Sequence, residues 1–594
     1  MLKNTLLGAL ALLVAIFTGL ILILPTPTAL DTESATDNDT LLITNARLFD
    51  GRAVLDNVDV LVEGRTIADI GSNLAAPEDV TRLEAAGLTI LPGLIDAHTH
   101  TFGTALEDSL RFGVTTNLDM FMSADLMQSA KPDRDNPEVA DRADLFSAGT
   151  LATVAGGHGT QFGFPIETLA QPEDAADWVE RRKAEGSDYI KLVYIPNQTS
   201  IPSLDLATAS AIILAAHNAG LLALAHISTE AAALDMVNAG IDGLVHIFAD
   251  QPVSEAFIRR AIEADIFIIP TLTTLAGIDE AGVNAALAED SRLAPYLRAT
   301  QTTNLARSFG EGLAGFDLSI ALANTGKLQA AGVTILAGSD APNPGTTHGA
   351  SLHHELELLV RAGLPNLTAL SAATANPAQR FDLGERGYLT PGAPADFLLV
   401  AGNPLENIDS TRDIVALYKN GTKVVRSLVD GGVKSQLLQA SLGTFNSGLD
   451  APEGFAWTST DDRVMGGNST SKVEASGDGY LSVQAKVASG FAFPWAGASL
   501  TLQDQTTGPA SLAEYSELSF SIRGSAGTYR AMMFDTAAGV PPTQSFSVSK
   551  DWQTVSLALA DFRGFSSNQF QGLAIVAGPG KGEFQYQIDN VTLN

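Results

Sequence analysis

One unit repeats through the middle of the chain: a helical segment that ends near glycine, followed at once by an apolar run. The tripeptides RFG, AEG, NAG, NAG and AAG stand at these junctions. Glycine is favoured just past the C-terminus of a helix because the backbone there often has a positive φ. The apolar runs are continuous rather than alternating, which is typical of parallel strands covered on both faces. The predicted strands are residues 88–100, 113–119, 144–148, 188–194, 221–227, 241–247, 266–272 and 333–340.

Eight strands that alternate with helical segments favour an α/β fold, a closed (β/α)8 TIM barrel over residues 93–384. An open, doubly wound parallel sheet is the alternative. Neither a GxGxxG motif nor a P-loop follows any of the runs, which weakens that alternative.

Two β-rich segments flank the predicted barrel. Residues 41–92 contain LLITNARLFD and NVDVLVEGRTIADIG, and residues 385–430 contain PADFLLV and IVALYKNGTKVV. The Asn-Gly pair in the last of these is typical of a tight hairpin turn. We expect the two segments to pair into one small composite β-sandwich. Residues 431–450 are then a linker. In residues 451–594 apolar and polar residues alternate, which predicts a separate all-β jelly roll.

An uncharged apolar run, residues 6–24, follows Lys3 near the N-terminus. At about 1.5 Å per residue, a helix over this run is ~28 Å long, close to the hydrocarbon thickness of a bilayer. Residues 1–30 therefore predict an uncleaved membrane anchor, with a cleaved signal peptide as the alternative. Either interpretation leaves Lys3 inside and exports the rest, to the periplasm or the cell exterior. Residues 31–40 are acidic and polar and predict a short tether.

The charge and the cysteine content exclude several classes of function. With 35 Lys+Arg against 67 Asp+Glu, the net charge is −32. Such a surface repels phosphate backbones and anionic headgroups, so we expect no nucleic-acid partner and membrane contact only through the N-terminal segment. The absence of cysteine rules out disulfides, thiolate zinc sites and cysteine nucleophiles. Any metal must therefore be held by His, Asp, Glu or an unusual ligand.

Polar residues end several of the predicted strands, at the edge where active sites of β/α barrels form. The first strand ends with His98 and His100, whose side chains share one side because residues two apart on a strand point the same way. His226, His246 and Asp340 end the fifth, sixth and eighth strands. Four of nine histidines at one end of a barrel predict a divalent metal site. Imidazoles and carboxylates without thiolates suit Zn²⁺, and Mn, Fe, Co and Ni stay open.

Lys191 stands inside the fourth predicted strand, in YIKLVY. A lysine buried in a barrel strand is costly unless it is paired. One interpretation is an ion pair with a neighbouring carboxylate. The other is a carbamate formed with CO₂, which converts the cation into a carboxylate-like group able to hold two metal ions together.

Taken together, the motifs resemble the amidohydrolase superfamily, in the subgroup of imidazolonepropionase-like enzymes and metal-dependent Xaa-Pro and Xaa-Arg dipeptidases. The matching pieces, within residues 41–425, are LPGLIDAHTH, GVTTNLDM, DYIKLVY, LLALAH, IDGLVH, ILAGSD and ELELLVRAGLPNLTALSAATANPAQR. One departure is LVHIFAD, since relatives often have Glu before this histidine and Gly after it.

The resemblance implies a ligand set and a mechanism. His98, His100 and Asp340 would bind a first metal ion, the two histidines that end strands five and six a second, and a carbamylated Lys191 would bridge them. Asp340 would also be the catalytic general base on the attacking water and would then protonate the leaving group. One or two divalent ions, with Zn as the first choice, are the implied cofactors.

The implied function is hydrolysis of an amide-type carbon–nitrogen bond in a small molecule, with dipeptides and N-acyl amino acids as first candidates. One alternative is ester, lactone or phosphotriester hydrolysis at the same metals. Another is a non-enzymatic assembly or binding protein that uses the C-terminal domain, with the barrel as a scaffold. The retained lysine in strand four argues against a scaffold.

Other polar residues receive weaker predictions. The residues predicted to contact substrate are His158, Tyr194 and His348. Those predicted to orient the metal ligands are Asp96 and Asp119. The remaining histidines, predicted on helix surfaces, are His217, His353 and His354.

The C-terminal region carries a second resemblance. TSTDDRVMGGNSTS, GFAFPWAG and WQTVSLALADFRGF are similar to the complex I intermediate-associated protein family, a galactose-binding-like jelly roll. The resemblance implies carbohydrate or protein as the partner of this domain. Trp457, Phe493, Trp495 and Trp552 are interpreted as core residues, with a ligand-binding platform as the alternative. Homo-oligomerisation stays open.

Overall fold

The structure is a computed structural model. It describes residues 30, 32–33, 40–78, 80–160, 166–196, 201–280, 282–309, 317–428, 438–446, 448–449, 451–452, 454–465, 468–489, 494–502, 510–535, 541–563, 565, 567 and 570–594. The predicted anchor or signal over residues 6–24, together with most of the tether and linker, lies outside these residues. Within the described ranges, no helix combines the length and apolar character that crossing a membrane requires. Two compact units are present: one contains Pro27–Gly159 and Ile166–Val429, and the other contains Asp430–Asn594.

The first unit contains the barrel and the strands that flank it in sequence. The strands before the barrel are β1 (Thr32–Glu33), β2 (Thr40–Phe49), β3 (Val54–Glu63), β4 (Thr66–Gly71), β5 (Thr81–Glu84) and β6 (Leu88–Pro92). The barrel strands are β7 (Leu94–Thr99), β8 (Val114–Asp119), β9 (Asp144–Ser147), β10 (Ile190–Val193), β11 (Ala223–His226), β12 (Gly243–Val245), β13 (Phe267–Ile269) and β14 (Thr334–Ile335). The strands after the barrel are β15 (Phe397–Ala401), β16 (Ile414–Lys419) and β17 (Thr422–Val424).

Helices separate the barrel strands. The α-helices are α1 (Ala105–Arg111), α2 (Ala124–Ala130), α3 (Ala175–Glu185), α4 (Leu206–Asn218), α5 (Glu230–Ala239), α6 (Glu255–Glu263), α7 (Leu272–Asp279), α8 (Ala299–Leu305), α9 (Leu318–Ala330), α10 (Ala350–Arg361), α11 (Asn366–Ala372) and α12 (Ala375–Arg380). Short 3₁₀ helices in this unit are Lys131–Asp135, Pro172–Asp174, Val283–Ala288, Ala294–Tyr296 and Ile408–Arg412. Gly186 and Gly240 end α3 and α5 in the left-handed conformation, as the repeated glycine junctions predict.

The eight parallel barrel strands form two sheets, β7–β9 and β10–β14, in sequential order. Isolated parallel bridges connect these sheets at both edges. Ala152 pairs with Leu192 between β9 and β10, and Thr99 pairs with Ala341 between β7 and the chain after β14. The strands therefore make one ring, as a (β/α)8 barrel requires.

Side chains fill the ring. The interior residues include Ile95, Ala97, Leu118, Met120, Ala148, Tyr189, Leu224, Val245, Phe267, Ile269 and Leu336. A larger core lies between the strands and the surrounding helices, with residues such as Ile190, Leu192 and Ile268. Burial on both faces explains why the strands have continuous apolar runs.

The run over residues 88–100, predicted as one strand, is two strands in two different sheets. β6 pairs with β15 and β2, while β7 pairs with β8 in the barrel. Gly93 lies between them, and a Cβ there would be only 2.2 Å from Oγ1 of Thr115. The chain therefore passes from one sheet to the other at a residue without a side chain, a change that continuous apolar character cannot indicate.

The segments on either side of the barrel pair with each other, as expected. They form one nine-stranded sheet with the order β1-β17-β16-β15-β6-β2-β3-β4, and β5 pairs with β2. The hairpin between β16 and β17 turns at Asn420 and Gly421, with φ values of 50° and 73°, as a type I′ turn requires. The apolar side chains of β2, β3, β6 and β15 share one core.

The second unit has two antiparallel sheets, as expected for a jelly roll. Its strands are β18 (Ser441–Gly443), β19 (Phe455–Asp461), β20 (Thr470–Ala475), β21 (Leu481–Val487), β22 (Ala496–Leu502), β23 (Glu517–Gly524), β24 (Gly527–Asp535), β25 (Thr543–Val548), β26 (Gln553–Ala558), β27 (Phe570–Ala577) and β28 (Gly582–Leu593). Its short 3₁₀ helices are Asp462–Met465 and Leu559–Asp561. The sheet orders are β20-β21-β28-β23-β26, with β18 beside β28, and β19-β22-β27-β24-β25.

The tryptophans of this unit differ in their surroundings. Trp457 is a core residue, with 2% of its surface exposed and its Nε1 donating to the Leu442 carbonyl at 2.9 Å. Trp552 is 40% exposed and packs against the guanidinium of Arg523, which lies 4.8 Å from the ring centroid. Trp495 is half-buried, and Phe493 lies outside the described residues.

A buried ion cluster ties the flanking sheet to the barrel. Lys419 of β16, with 1% of its side chain exposed, lies 2.9 Å from Asp396 Oδ2 and 3.2 Å from Asp144 Oδ1 at the start of β9. Arg386 also pairs with Asp144, at 2.6 Å. Each buried carboxylate therefore has a cation beside it.

Replacing Lys419 with methionine is expected to lower the free energy of unfolding by about 3 kcal/mol, because two carboxylates lose their shared partner in a buried place. Urea denaturation of the purified protein measures the change. Lys327→Met on the exposed face of α9 is the control and is expected to change stability by less than about 0.5 kcal/mol. Equal stability of the two variants would contradict the structural role of the cluster.

Candidate metal centre

The first group of donor atoms lies where β7 ends beside the chain that follows β14. Asp340 Oδ1 is 3.2 Å from Nε2 of His98 and 3.1 Å from Nε2 of His100. Both imidazoles therefore lie on the same side of their strand. His98 and Asp340 are buried, whereas His100 is partly exposed. Two imidazole nitrogens and one carboxylate oxygen thus face a common point.

The second group lies at the ends of β11 and β12. Nε2 of His246 is 2.9 Å from Nδ1 of His226, and the two rings meet edge to face with centroids 4.5 Å apart. The His246 ring is also 5.2 Å from the ring of His98. One ligand atom from each of His98, His246 and Asp340 lies within 4.8 Å of the others, so the two groups adjoin.

His246 reaches this place through an uncommon backbone conformation. Val245 fills the barrel interior, so a regular strand would turn the next side chain outward. The φ of His246 is 69°, in the left-handed region that non-glycine residues seldom adopt. Asp340, with a φ of 55°, has the same conformation. Strained residues of this kind concentrate at functional sites.

Lys191 enters the barrel interior from β10. It is paired in register with the interior residue Leu224, has 3% of its surface exposed, and its Nζ has no hydrogen-bond partner among the described residues. The ion pair considered from the sequence is therefore not formed within the described part of the chain. Burial lowers the pKa of Lys191 to about 7, and Asp340 opposes this shift.

Burial favours the neutral form of His98, His226 and His246. Burial lowers the pKa of His246 to about 3, and it holds the pKa values of His98 and His226 well below the usual value. Burial alone would raise the pKa of Asp340, but His100, His246 and Lys191 outweigh it and the net shift is downward. Neutral imidazoles and an ionised carboxylate are the protonation states that metal ligands need.

The donor set fits a divalent cation. Nδ1 of His98, Nζ of Lys191 and Oδ1 of Asp340 are buried without a hydrogen-bond partner in the described structure. Nε2 of His98 and Nε2 of His100 also lie within 3.2 Å of Asp340 Oδ1. Buried nitrogen and oxygen atoms without a partner are costly, and a cation bound among them would remove that cost. Nitrogen and oxygen donors without thiolates match Zn²⁺ and related ions.

Asp96 and Asp119 bind the backbone around the ligands rather than the imidazoles. Asp96 accepts from the amide and hydroxyl of Ser339 at 2.9 and 2.6 Å and from the amide of His98 at 3.2 Å. Asp119 accepts from the amide of Thr101 at 2.5 Å. Burial raises the pKa of Asp96 to about 7 and of Asp119 to about 6. These two carboxyls therefore hold the segments that carry the candidate ligands.

Two of the three residues predicted to contact substrate lie beside the centre. The His158 ring is 4.9 Å from the ring of His226, and Nε2 of His348 is 3.1 Å from the carbonyl oxygen of His100. Tyr194 is not brought there. Its hydroxyl donates to Asp235 of α5 at 2.9 Å, and the ring packs in the core between strands and helices. The alternation that turns Lys191 inward turns Tyr194 outward.

The prediction that the other three histidines lie on helix surfaces is wrong for His353. This residue is 1% exposed, and its two ring nitrogens contact Oγ1 of Thr411 at 3.0 Å and the carbonyl oxygen of Phe112 at 2.9 Å. His217 is on the surface, where it pairs with Asp242 at 2.9 Å. His354 is partly exposed beside Glu357.

Sequence reasoning missed Thr271, which follows β13. Its Oγ1 is 2.7 Å from Nδ1 of His246. Glu355 of α10, also missed, accepts from the amides of the two residues after Thr271. The hydroxyl-rich segment PTLTT at a strand end is the signal available for Thr271, while Glu355 has none, because its partners lie far away in sequence.

Two family models match the chain, one in each unit. The model of the amidohydrolase family matches residues 89–431 of the chain. The model of the Complex I intermediate-associated protein 30 family matches residues 445–572.

Individual relatives match the chain over nearly their whole length. The dihydroorotase of Lactococcus lactis subsp. lactis (strain IL1403) is 24% identical over 442 residues, which are 66% of this chain and 97% of that protein. The imidazolonepropionase of Mycolicibacterium smegmatis is 26% identical over 418 residues, 67% of this chain and 96% of that protein. A crystal structure of a Xaa-Pro dipeptidase with bound methionine matches with a TM-score of 0.53 and 20% identity, over 65% of this chain and 99% of that one. The last likeness supports the barrel fold.

The buried imidazoles are expected to stay neutral between pH 8 and pH 5 in metal-free protein, because burial disfavours the imidazolium form. Imidazole resonances of ¹⁵N-histidine-labelled protein, followed by NMR through this range, measure the titration. The same protein unfolded in urea is the reference and should titrate near pH 6.5. A midpoint near 6.5 for His246 or His98 in the folded protein would contradict the described electrostatics.

Proposed function

The chain belongs to the amidohydrolase family, and on that premise we propose that its barrel hydrolyses an amide-type carbon–nitrogen bond in a small molecule at a divalent metal centre. Dipeptides and N-acyl amino acids are the first substrate candidates. The observation that carries the proposal is the convergence of four imidazoles, one carboxylate and one unpartnered lysine at the C-terminal ends of barrel strands. The names of the matched relatives, a dihydroorotase, an imidazolonepropionase and a Xaa-Pro dipeptidase, support the choice of bond.

The ligands divide into two groups. His98, His100 and Asp340 would hold one ion, and His226 with His246 a second, with Zn²⁺ as the first choice for both. A bound divalent ion lowers the pKa of a water molecule towards 7 and polarises a carbonyl group.

Asp340 is proposed as the catalytic general base. Its carboxylate is buried, its pKa is lowered, and it lies beside the imidazoles of His98 and His100. A carboxylate in this position accepts a proton from the attacking water. The same oxygen then delivers that proton to the leaving nitrogen, so that the amine departs uncharged.

His158 and His348 are proposed to line the substrate site. His158 lies against the ring of His226, and His348 contacts the carbonyl oxygen of His100. Burial lowers the pKa of each to about 4, so both imidazoles are neutral at neutral pH. The Nε2–H group of His348 donates to the carbonyl of His100, which leaves Nδ1 as the acceptor for a bound substrate.

Lys191 is proposed to be carbamylated. An ammonium group buried without a partner is costly, and the neutral amine, which a pKa of about 7 makes abundant at neutral pH, is the form that attacks CO₂. The nitrogen forms a bond to the carbon of CO₂ and releases one proton. The resulting anion has two oxygens that would bridge the two ligand groups.

Replacing Asp340 with asparagine is expected to lower kcat by at least about 10³-fold, because the base that accepts the water proton is lost. The assay uses Zn²⁺-loaded protein and a panel of dipeptides and N-acyl amino acids. Asp235→Asn, on α5 and bonded to Tyr194, is the matched control and should retain wild-type turnover. Wild-type protein that takes up metal but cleaves no member of the panel would contradict the proposed substrates, and an active D340N would contradict the role of Asp340.

Protein incubated with ¹³C-bicarbonate is expected to show one carbamate carbon resonance, and Lys191→Met is expected to lack it. NMR of the intact protein with and without Zn²⁺ measures the signal. Lys327→Met is the control, since this lysine is exposed on α9 and should leave the resonance unchanged. A signal that persists in Lys191→Met, or the lack of any signal in wild-type protein, would contradict carbamylation of Lys191.

A further inference from the structure

Thr271 lies just after the end of β13, beside the candidate metal centre. It is fully buried, and its Oγ1 is 2.7 Å from Nδ1 of His246. The opposite ring nitrogen, Nε2, faces Nδ1 of His226 at 2.9 Å. One imidazole of the candidate metal centre therefore contacts a hydroxyl group through Nδ1, the nitrogen that also lies 4.0 Å from Oδ2 of Asp340.

A metal ion at Nε2 of His246 requires the proton to be on Nδ1, and Oγ1 of Thr271 is placed to accept a hydrogen bond from that N–H group. A neutral imidazole has one N–H group and one lone pair. When Nδ1–H donates to Oγ1 of Thr271, the lone pair is on Nε2, the atom that faces His226. A hydrogen bond on the far nitrogen is how proteins orient a histidine ligand and select its tautomer.

The backbone of Thr271 has an uncommon conformation that needs support. Its φ is 53°, in the left-handed region that is strained and rare for a β-branched residue. Immediately after it, the amides of Leu272 and Thr273 donate to Glu355 Oε1 and Oε2 at 3.0 and 2.8 Å. The hydroxyl of Thr273 donates to Oε2 as well, at 3.0 Å. Glu355 is fully buried.

The two features are linked through the start of α7. Thr271 is the N-cap residue of this helix, a position where a threonine side chain normally accepts from an amide of the first turn. Here it makes no such bond, since its hydroxyl is directed to His246. Glu355, from α10, satisfies the helix amides in its place. Glu355 of α10 therefore caps α7, and the Thr271 hydroxyl contacts His246 instead.

We propose that Thr271 is a positioning residue that keeps the lone pair of His246 Nε2 directed at the metal site, and that Glu355 is the anchor that makes this possible. The inference rests on the proposed function, because it assumes that His246 binds a metal ion. It adds two residues to the site that have no contact with substrate or reacting atoms.

Thr271→Val keeps the size and the branching of the side chain but removes the acceptor, so it is expected to weaken Zn²⁺ binding about 10–100-fold. Thr271→Ala should do the same, and Thr271→Ser, which restores the hydroxyl, should bind within about threefold of wild type. Competition with a chromophoric chelator on the full chain measures each dissociation constant. Glu355→Gln, which places an NH₂ group against a backbone N–H, is expected to weaken binding in the same direction.

Thr325→Val is the matched control. Thr325 lies in α9, is fully buried, and donates to the carbonyl of Ala321 in its own helix at 2.9 Å rather than to an imidazole. Wild-type affinity in both Thr271→Val and Thr271→Ala would overturn the inference, as would an equal loss in Thr325→Val. Unchanged affinity in Glu355→Gln would overturn the role of the anchor. Failure of wild-type protein to bind Zn²⁺ would instead contradict the proposed function.

Discussion

The candidate metal centre depends on burying polar groups close to one another at the C-terminal ends of the barrel strands. Nε2 of His98 and Nε2 of His100 lie within 3.2 Å of Asp340 Oδ1, and Nε2 of His246 lies 2.9 Å from Nδ1 of His226 on the adjoining side. Desolvation of these groups is unfavourable by itself. A divalent cation bound among these groups would make the same arrangement favourable, since it would accept the lone pairs of the nitrogen and oxygen atoms.

The surrounding fold keeps this arrangement in place. Asp96 of β7 accepts hydrogen bonds from Ser339, which follows β14 and directly precedes Asp340. Thr271 contacts His246 at the end of β12, and Glu355 binds the backbone that follows Thr271. Lys419 and its carboxylates join the barrel to the sheet formed by the two ends of the catalytic unit. Buried polar groups of this kind specify one geometry when every member has a partner.

Much of this could be predicted from sequence where a local rule applies. Continuous apolar runs and terminal glycines indicate buried parallel strands, and the spacing of His98 and His100 places two imidazoles on one side. Where a rule of regular strands fails, prediction fails with it. The break at Gly93 is set by a contact with Thr115, and His246 turns inward through a positive φ. Contacts between distant segments, such as that of Glu355 with the start of α7, leave no local signal.

The most direct test of the central claim is anomalous diffraction at the zinc edge from crystals grown with Zn²⁺. One anomalous peak is expected within bonding distance, about 2.0–2.2 Å, of His98, His100 and Asp340, and a second near His226 and His246. A map with no peak at this end of the barrel, in crystals whose Zn²⁺ is seen elsewhere, would contradict the metal centre.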